Sequence, residues 1–251
     1  MLSVLLTAAI AGSAATAFAW QPQGIGTWEE ASRDGVTARF FVGSDVHIGR
    51  DENASDKLSN ALEVFNTVDP DADAVLLVGD VTNNGGSGEY DTLMDIINRS
   101  HFANTGDDTK TILAMGNHEF NNADGAIERF ESKTGQDNTG AYYFYKNGDP
   151  EQGLAATVIK LGASNYGGDY TGCYDLLKEE LEKANAENPE ALVIVMGHHG
   201  IKDTAYVTNE WYGNYGSGTD KDMTALMEQY PQVIHISGHS HATLEDARHE
   251  K

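Results

Sequence analysis

Residues 74–84 read AVLLVGDVTNN: an unbroken apolar run that ends in Gly79 and Asp80. A short apolar run bounded by such turn residues is typical of a buried β-strand. Strands that are apolar throughout, rather than alternating, are usually covered on both faces, as in a parallel sheet. This stretch therefore predicts a central strand of an α/β fold with a carboxylate at its carboxyl end.

The same arrangement recurs along the chain, where short polar clusters directly follow strand-like apolar runs. In order, these clusters are Asp45-Val46-His47, Gly79-Asp80, Gly116-Asn117-His118-Glu119, Gly197-His198-His199 and Gly238-His239-Ser240-His241. Ligands in open α/β sheets collect beyond the carboxyl ends of the strands, so these side chains should meet. The remaining histidines, His101, His235 and His249, are assigned surface or packing roles.

Alternating strands and helices predict an α/β fold with a largely parallel sheet. The predicted strands are Ala38–Gly43, Ala74–Gly79, Thr111–Gly116, Ala141–Tyr145, Ala155–Leu161, Ala191–Gly197 and Val233–Gly238. Amphipathic helices are predicted between them, one after a Ser55 cap and another that contains Cys173. The fourth and fifth strands have only a turn-rich link between them, which indicates a second, partly antiparallel sheet.

The composition is that of one large, strongly acidic domain. The chain has 251 residues, a net charge of −23 and a single cysteine, so an intramolecular disulfide is excluded. Without a cationic excess, neither duplex nucleic acid nor an anionic membrane surface is an expected partner. We therefore expect one domain over residues 20–251.

The two termini carry separate predictions. Residues 1–19 are typical of a secretory signal peptide, with an apolar stretch before the small-x-small site Ala17-Phe18-Ala19. Cleavage after Ala19 would give a secreted, periplasmic or cell-surface protein without stable membrane insertion. The sequence stops 10 residues after His241, in the charged stretch Glu245–Lys251, which suggests a fold truncated at the C-terminus.

Mixed imidazole and carboxylate ligands suit zinc, iron or manganese, and the absence of cysteine from the clusters argues against a structural zinc site. Two-metal hydrolytic sites hold their ions about 3.5–4 Å apart, and the pair needs a bridging carboxylate. Asp80 is the natural bridge.

In this order, the five clusters resemble those of the calcineurin-like metallophosphoesterase superfamily over roughly Arg39 to His241. The run Gly79–Gly85 is similar to the branch that contains bacterial cyclic-nucleotide phosphodiesterases and purple acid phosphatases. The resemblance implies a layered α/β/β/α sandwich with mixed, mostly parallel sheets.

The resemblance also implies a role for each motif residue. One metal would be held by Asp45, His47, Asp80 and His241, and the second by Asp80, Asn117, His198 and His239. His198, rather than His199, is the implied ligand. His118 would act as general acid, with Asn83 or Asn84 as a neutral partner. Because Asn83 stands where purple acid phosphatases carry an iron-binding tyrosine, iron, zinc and manganese all remain open.

The resulting hypothesis is an exported dinuclear phosphoesterase. It would cleave a small phosphomonoester or phosphodiester, with nucleotides among the candidate substrates, by attack of a metal-bound hydroxide. Arg50 and Lys202 could contact the phosphate, and Tyr212 and Tyr215 could line the rim of a pocket. The alternatives are hydrolysis of another bond, such as a pyrophosphate or amide, and an inactive metal-binding module on the same fold.

Overall fold

The computed structural model describes residues 7–8, 36–106, 108–205 and 207–241. The predicted leader cleavage site at Ala19, His249 and the charged C-terminal stretch lie outside these residues. None of the helices in the described residues combines the length and apolar character needed to cross a bilayer.

The described chain contains eight strands and five helices. The strands are β1 Thr7–Ala8, β2 Phe40–Gly43, β3 Ala74–Val78, β4 Thr111–Ala114, β5 Gly140–Tyr145, β6 Leu154–Lys160, β7 Leu192–Met196 and β8 Val233–Ile236. The helices are α1 Ala54–Val68, α2 Ser87–Arg99, α3 Ala126–Thr134, α4 Tyr174–Glu187 and α5 Met223–Met227. Four 3₁₀ turns, at His118–Asn121, Lys146–Gly148, Pro150–Gln152 and Thr171–Cys173, complete the described elements.

The strands form two sheets of four. The first has the order β1-β2-β3-β4 and is parallel throughout, with Leu76 of β3 opposite Val42 and Ile112. The second has the order β5-β6-β7-β8, in which β5 is antiparallel to β6 and the other neighbours are parallel. The predicted second, partly antiparallel sheet is therefore confirmed.

The sheets pack face to face, with helices on their outer faces. Successive side chains of a strand point to opposite faces, and the buried residues divide accordingly. Leu76 and Val78 join Val158 and Ile194 of the second sheet in one cluster between the sheets. The alternate residues face the helices in a second cluster, which includes Val75, Leu77, Val193 and Val195. This confirms the predicted α/β/β/α sandwich.

Strands β2–β8 agree with the seven predicted strands to within two residues at either end. Strand β1 was not predicted, because Thr7–Ala8 falls in the stretch read as a signal peptide, and two helix details were wrong. Helix α1 begins at Ala54 with Asn53 as its N-cap, so Ser55 lies inside the helix. Cys173 lies in the 3₁₀ turn that precedes α4, where it is buried and its Sγ donates to the Gly162 carbonyl at 3.3 Å. It is a packing residue, as predicted.

Lys160, at the end of β6, is completely buried. Its Nζ has no hydrogen-bond partner among the described residues and lies 5.5 Å and 5.7 Å from the ring centroids of Phe130 and Tyr142. Burial disfavours the charged amine and lowers the pKa of Lys160 to about 7, although the charges of Asp137 and Glu131 oppose the shift. An unpaired buried ammonium is destabilising.

We expect Lys160→Met to raise the free energy of unfolding by about 1–3 kcal/mol near pH 6. An unfolded lysine titrates near 10.4, so between about pH 7 and 10 the unfolded chain binds more protons than the folded one. The wild type therefore gains stability as pH rises through this window, and the advantage of the variant shrinks. Urea denaturation at pH 6 and pH 10 measures both effects. A variant less stable than the wild type at pH 6 would contradict the prediction.

Candidate metal centre

The loops that follow β2 and β3 stay hydrogen-bonded beyond the sheet. The amides of Asp45 and His47 donate to the carbonyls of Gly79 and Asp80 at 3.1 and 2.9 Å, and the Ile48 amide donates to the Val81 carbonyl at 3.0 Å. This extended pairing sets the first predicted cluster directly beside Asp80.

Four of the predicted ligands form a first group at this edge: Asp45, His47, Asp80 and His241. His241 Nε2 lies 3.1 Å from Asp45 Oδ1 and 3.2 Å from His47 Nε2. His47 Nε2 lies 3.9 Å from Asp80 Oδ2. Two atoms that each bind an ion at about 2.0–2.2 Å can be at most about 4.4 Å apart, so these spacings suit a shared cation.

A second group consists of Asp80, His198 and His239 and shares Asp80 with the first. His198 Nδ1 is 2.8 Å from the Val78 carbonyl oxygen, which turns Nε2 towards Asp80. Nε2 lies 3.2 Å from Asp80 Oδ2 but has no aligned hydrogen-bond partner within the described chain. A fully buried ring nitrogen that lies beside a carboxylate oxygen without an aligned hydrogen bond to it is a suitable position for a metal ligand.

Asn117 lies at the end of the loop that follows β4. Its side chain is buried, and its Oδ1 has no hydrogen-bond partner among residues 36–106, 108–205 and 207–241. The amide of the next residue, His118, donates to Asp80 Oδ1 at 2.9 Å, which keeps this loop against Asp80. Buried polar atoms are normally paired, so an orphaned amide oxygen here fits a ligand whose cation would complete it.

The backbone is strained at the same residues. Eight non-glycine residues in the described part of the chain have positive φ, and five of them belong to the two groups. These five are Asp45 (56°), His47 (50°), Asp80 (49°), His239 (67°) and His241 (47°). Left-handed backbone at a non-glycine residue costs about 1–3 kcal/mol and is concentrated at functional sites.

Two motif positions require glycine because neighbouring side chains come too close to leave room for a Cβ. A Cβ at Gly116 would overlap the Asp80 carboxylate, and a Cβ at Gly238 would overlap the side chains of Ser44 and Asp45. Gly116 and Gly238 therefore let their loops pack directly against the ligands of another loop. This explains the glycines of the motifs in physical terms.

Glu119 fastens the loops after β3 and β4 together. Its fully buried carboxylate accepts hydrogen bonds from the amides of Asp80 (3.1 Å), Thr82 (2.8 Å) and Gly116 (2.6 Å) and from the Thr82 hydroxyl (2.8 Å). Burial and the nearby charge of Asp80 raise the pKa of Glu119 to about 7. Three of the four hydrogen bonds come from the loop after β3 and one from Gly116 in the loop after β4, so Glu119 joins the two loops.

His118 stands at the margin of the two groups rather than inside them. Its Nδ1 is 2.7 Å from the backbone carbonyl oxygen of Asn83, and its Nε2 is 4.0 Å from Asp80 Oδ2. The neutral partner expected from the sequence is thus the Asn83 main chain, because the Asn84 side chain instead bonds Glu89. Asn121 Nδ2 also donates to the Asn83 carbonyl, at 3.0 Å.

Arg129 joins the two loops that flank His118. Its guanidinium donates to the carbonyls of Gly85, Asp124 and Asn122. Because the hydrogen bond from His118 to Asn83 crosses the same two loops, Arg129 helps to hold the imidazole in place. The sequence carried no local signal for this role, since the partners are all backbone carbonyls.

His199 is buried behind the second group. Its ring centroid lies 4.4 Å from that of His239, and its Nδ1 lies 3.1 Å from the Tyr170 hydroxyl. Tyr170 stacks on Tyr215 at 4.7 Å, and the Tyr215 hydroxyl donates to the His199 carbonyl at 2.6 Å. Tyr215 is therefore a buried supporting residue and does not line a rim, whereas Tyr212 is exposed.

The protonation states of the groups are set by one another. Burial would lower the pKa of His198, but the charge and hydrogen bond of Asp80, the charge of Asp45 and the hydrogen bond to Val78 together raise it to about 9. Burial also lowers the pKa of His47 to about 4, against the opposing charge of Asp80. In the metal-free protein at neutral pH, His198 therefore carries the proton that a cation would have to displace.

Of the two candidate phosphate-contacting cations, Arg50 lies near the first ligand group. Arg50 is close enough to His241 for its charge to lower the pKa of that histidine, although the hydrogen bond with Asp45 dominates and raises it. Lys202 Nζ lies 5.0 Å from the ring centroid of Tyr212.

The fold brings together two groups of imidazole and carboxylate side chains that share Asp80. They lie at the carboxyl edge of an α/β/β/α sandwich, and this arrangement is typical of metal-dependent hydrolases. Residues 38–243 match the family model described as calcineurin-like phosphoesterase. This match covers most of the chain, which therefore belongs to the calcineurin-like phosphoesterase family. No curated protein matches the chain.

We predict that Glu119→Gln lowers the free energy of unfolding by about 2–4 kcal/mol, because the new amide group faces donors that have lost an acceptor. Affinity for Zn²⁺ or Mn²⁺ should fall with it, since Asp80 and Gly116 lose their common anchor. Urea denaturation and isothermal titration calorimetry measure the two effects. Glu128→Gln, the same change at an exposed site on α3, is the control. Equal behaviour of the two variants would show that Glu119 does not hold the loops.

Proposed function

We propose that the protein is a dinuclear-metal phosphoesterase that hydrolyses small phosphomonoesters or phosphodiesters. The observation that carries this proposal is the sharing of Asp80 between two ligand groups in a member of the phosphoesterase family. Asp45, His47, Asp80 and His241 would hold one ion. Asp80, Asn117, His198 and His239 would hold the other.

When bound, the two ions supply an activated water and positive charge that stabilises the phosphoryl oxygens. The chain's own residues place and protonate the substrate. The hydrogen bond of His118 Nδ1 to the Asn83 carbonyl leaves Nε2 free on the side of Asp80. In the proposed reaction, Nε2 gives its proton to the leaving oxygen as general acid. Arg50 would add positive charge beside the phosphate.

The donor set favours borderline cations without choosing among them. It combines imidazole nitrogen with carboxylate and amide oxygen, which suits iron, zinc or manganese. The strongly acidic surface, with a net charge of −23, supports a small-molecule ester rather than a nucleic-acid duplex as substrate.

We expect metal-loaded protein to hydrolyse p-nitrophenyl phosphate or bis-p-nitrophenyl phosphate. Asp80→Asn should lose bound metal and activity together, because both groups depend on this carboxylate. His118→Asn should keep both metals and lose about 10²–10⁴-fold in kcat. The control is His101→Asn, an exposed histidine that bonds the Pro70 carbonyl. Elemental analysis and release of p-nitrophenol are the measurements.

Three results would decide against this function. Turnover of neither ester with two metals bound would favour a non-catalytic metal-binding module. Activity confined to pyrophosphate or amide substrates would move the reaction to another bond. A His118→Asn variant as active as His101→Asn would remove the proposed general acid.

We also propose that the protein is exported and processed after Ala19. Support comes from the apolar N-terminal stretch and the Ala17-Phe18-Ala19 site. Processing would remove β1, which leaves β2 as the outermost of the described strands on that side of the first sheet. N-terminal sequencing of the protein recovered outside the cytoplasm should begin at Trp20. An intact N-terminus, or protein retained in the cytoplasm, would refute export by this route.

A further inference from the structure

A surface loop begins after Gly200, the residue that follows His199. This loop, of which residues 201–205 and 207–212 are described, is closed at its base by the hydrogen bond from the Gly213 amide to the Gly200 carbonyl at 3.0 Å. The next amide, of Asn214, donates to the Gly168 carbonyl at 2.8 Å. Because the loop starts one residue after the His198-His199 pair, its position is tied to the second ligand group.

The loop presents Trp211 beside that group. The Trp211 side chain is 57% exposed, and its ring centroid lies 6.2 Å from that of His239 at an interplanar angle of 63°. An exposed tryptophan contributes little to the core, and most of its surface is available to a ligand. It is one of three large apolar side chains exposed in the described residues.

The loop around Trp211 is ordered by its own hydrogen bonds. The Trp211 amide donates to the Val207 carbonyl at 2.9 Å, and the buried Thr208 hydroxyl accepts from the amides of Thr204 and Ala205. The adjacent Tyr212 ring lies under Lys202 Nζ. The indole is therefore held near His239 without being packed away.

We propose that Trp211 is a specificity residue that stacks on a planar aromatic ring carried by the phosphoester substrate. The proposal rests on the proposed function, because the phosphate must sit at the two ligand groups for the ring to reach Trp211. A nucleobase and a simple aryl group share this chemistry.

The exposed face of the Trp211 ring can recognise a substrate by stacking on it. With a net charge of −23, the protein has no long-range attraction for an anionic ester, so affinity must come from short-range contacts. An aromatic side chain accepts any base, since each base has a π-face, and removing it typically weakens binding by about 5- to 100-fold.

The first test compares substrates that differ only in the ring. Hydrolysis of AMP against ribose 5-phosphate tests a base, and benzyl against cyclohexylmethyl phosphate tests an aryl group. If only diesters are turned over, the methyl diesters of the same compounds replace them. We expect metal-loaded wild type to favour at least one aromatic member through a lower KM.

Two variants distinguish aromatic stacking by Trp211 from the mere presence of a large apolar side chain. Trp211→Leu keeps an apolar side chain and should lose the preference, raising KM for the aromatic substrate about 5- to 100-fold while leaving ribose 5-phosphate unchanged. Trp211→Phe keeps a ring and should retain part of the preference. The bound metal should stay the same in all three proteins.

Several outcomes would overturn the proposal. The wild type could show no preference within either pair. Trp211→Leu could lower the activity towards both substrates of a pair equally, or it could release metal. Either result would make Trp211 a residue that supports His239. A changed oligomeric state in Trp211→Leu would make it an interface residue. A preference for AMP over ribose 5-phosphate would identify the ring as a nucleobase. A preference for benzyl over cyclohexylmethyl phosphate would identify it as an aryl group.

A binding measurement keeps this proposal separate from the proposed function. Calorimetric titration of metal-loaded protein with adenosine, ribose, benzyl alcohol and cyclohexylmethanol needs no turnover. Binding of an aromatic compound but not its partner, lost in Trp211→Leu, would support the subsite even if no ester were cleaved. Equal or absent binding of both members of each pair would refute it.

Discussion

The position of the Asp80 carboxylate is the constraint on which the rest of the site depends. Asp80 follows the buried strand β3, belongs to both ligand groups and accepts the His118 amide at 2.9 Å. Its own amide is held by Glu119, which also holds the loop after β4. Any displacement of β3 would therefore move both groups and the candidate general acid together.

The strands and the clustering of ligands could be predicted because they depend on local pattern. An apolar run such as Ala74–Val78 identifies a strand buried on both faces, and parallel strands bring their carboxyl ends to one edge. The antiparallel β5 was predictable for the same reason, since only a turn-rich segment separates it from β6. For these features, the order of residues along the chain was sufficient to predict the structure.

The supporting contacts could not be predicted, because their partners are distant in sequence and often main-chain atoms. Glu119 bonds amides 37 and 39 residues away, and Arg129 bonds the Gly85 carbonyl 44 residues away. Tyr215 was assigned to a rim, yet it is buried against Tyr170, because the loop after β7 folds back at Gly213. Neither hydropathy nor spacing encodes such contacts.

The ligand groups have a strained backbone, whereas the loop that bears Trp211 is less constrained by the site. Five residues of the ligand groups have left-handed backbone, which persists only where surrounding contacts determine it. Those contacts are the paired loops, the close-packed glycines and the Glu119 carboxylate, so this region cannot vary without losing the groups. The loop that bears Trp211 contacts the second ligand group through the indole ring, which lies 6.2 Å from that of His239 and is 57% exposed. Under the proposed function, substitutions there would change what lies beside the substrate while the strained ligand framework keeps its geometry. The reaction centre and the choice of substrate would then reside in physically separate elements.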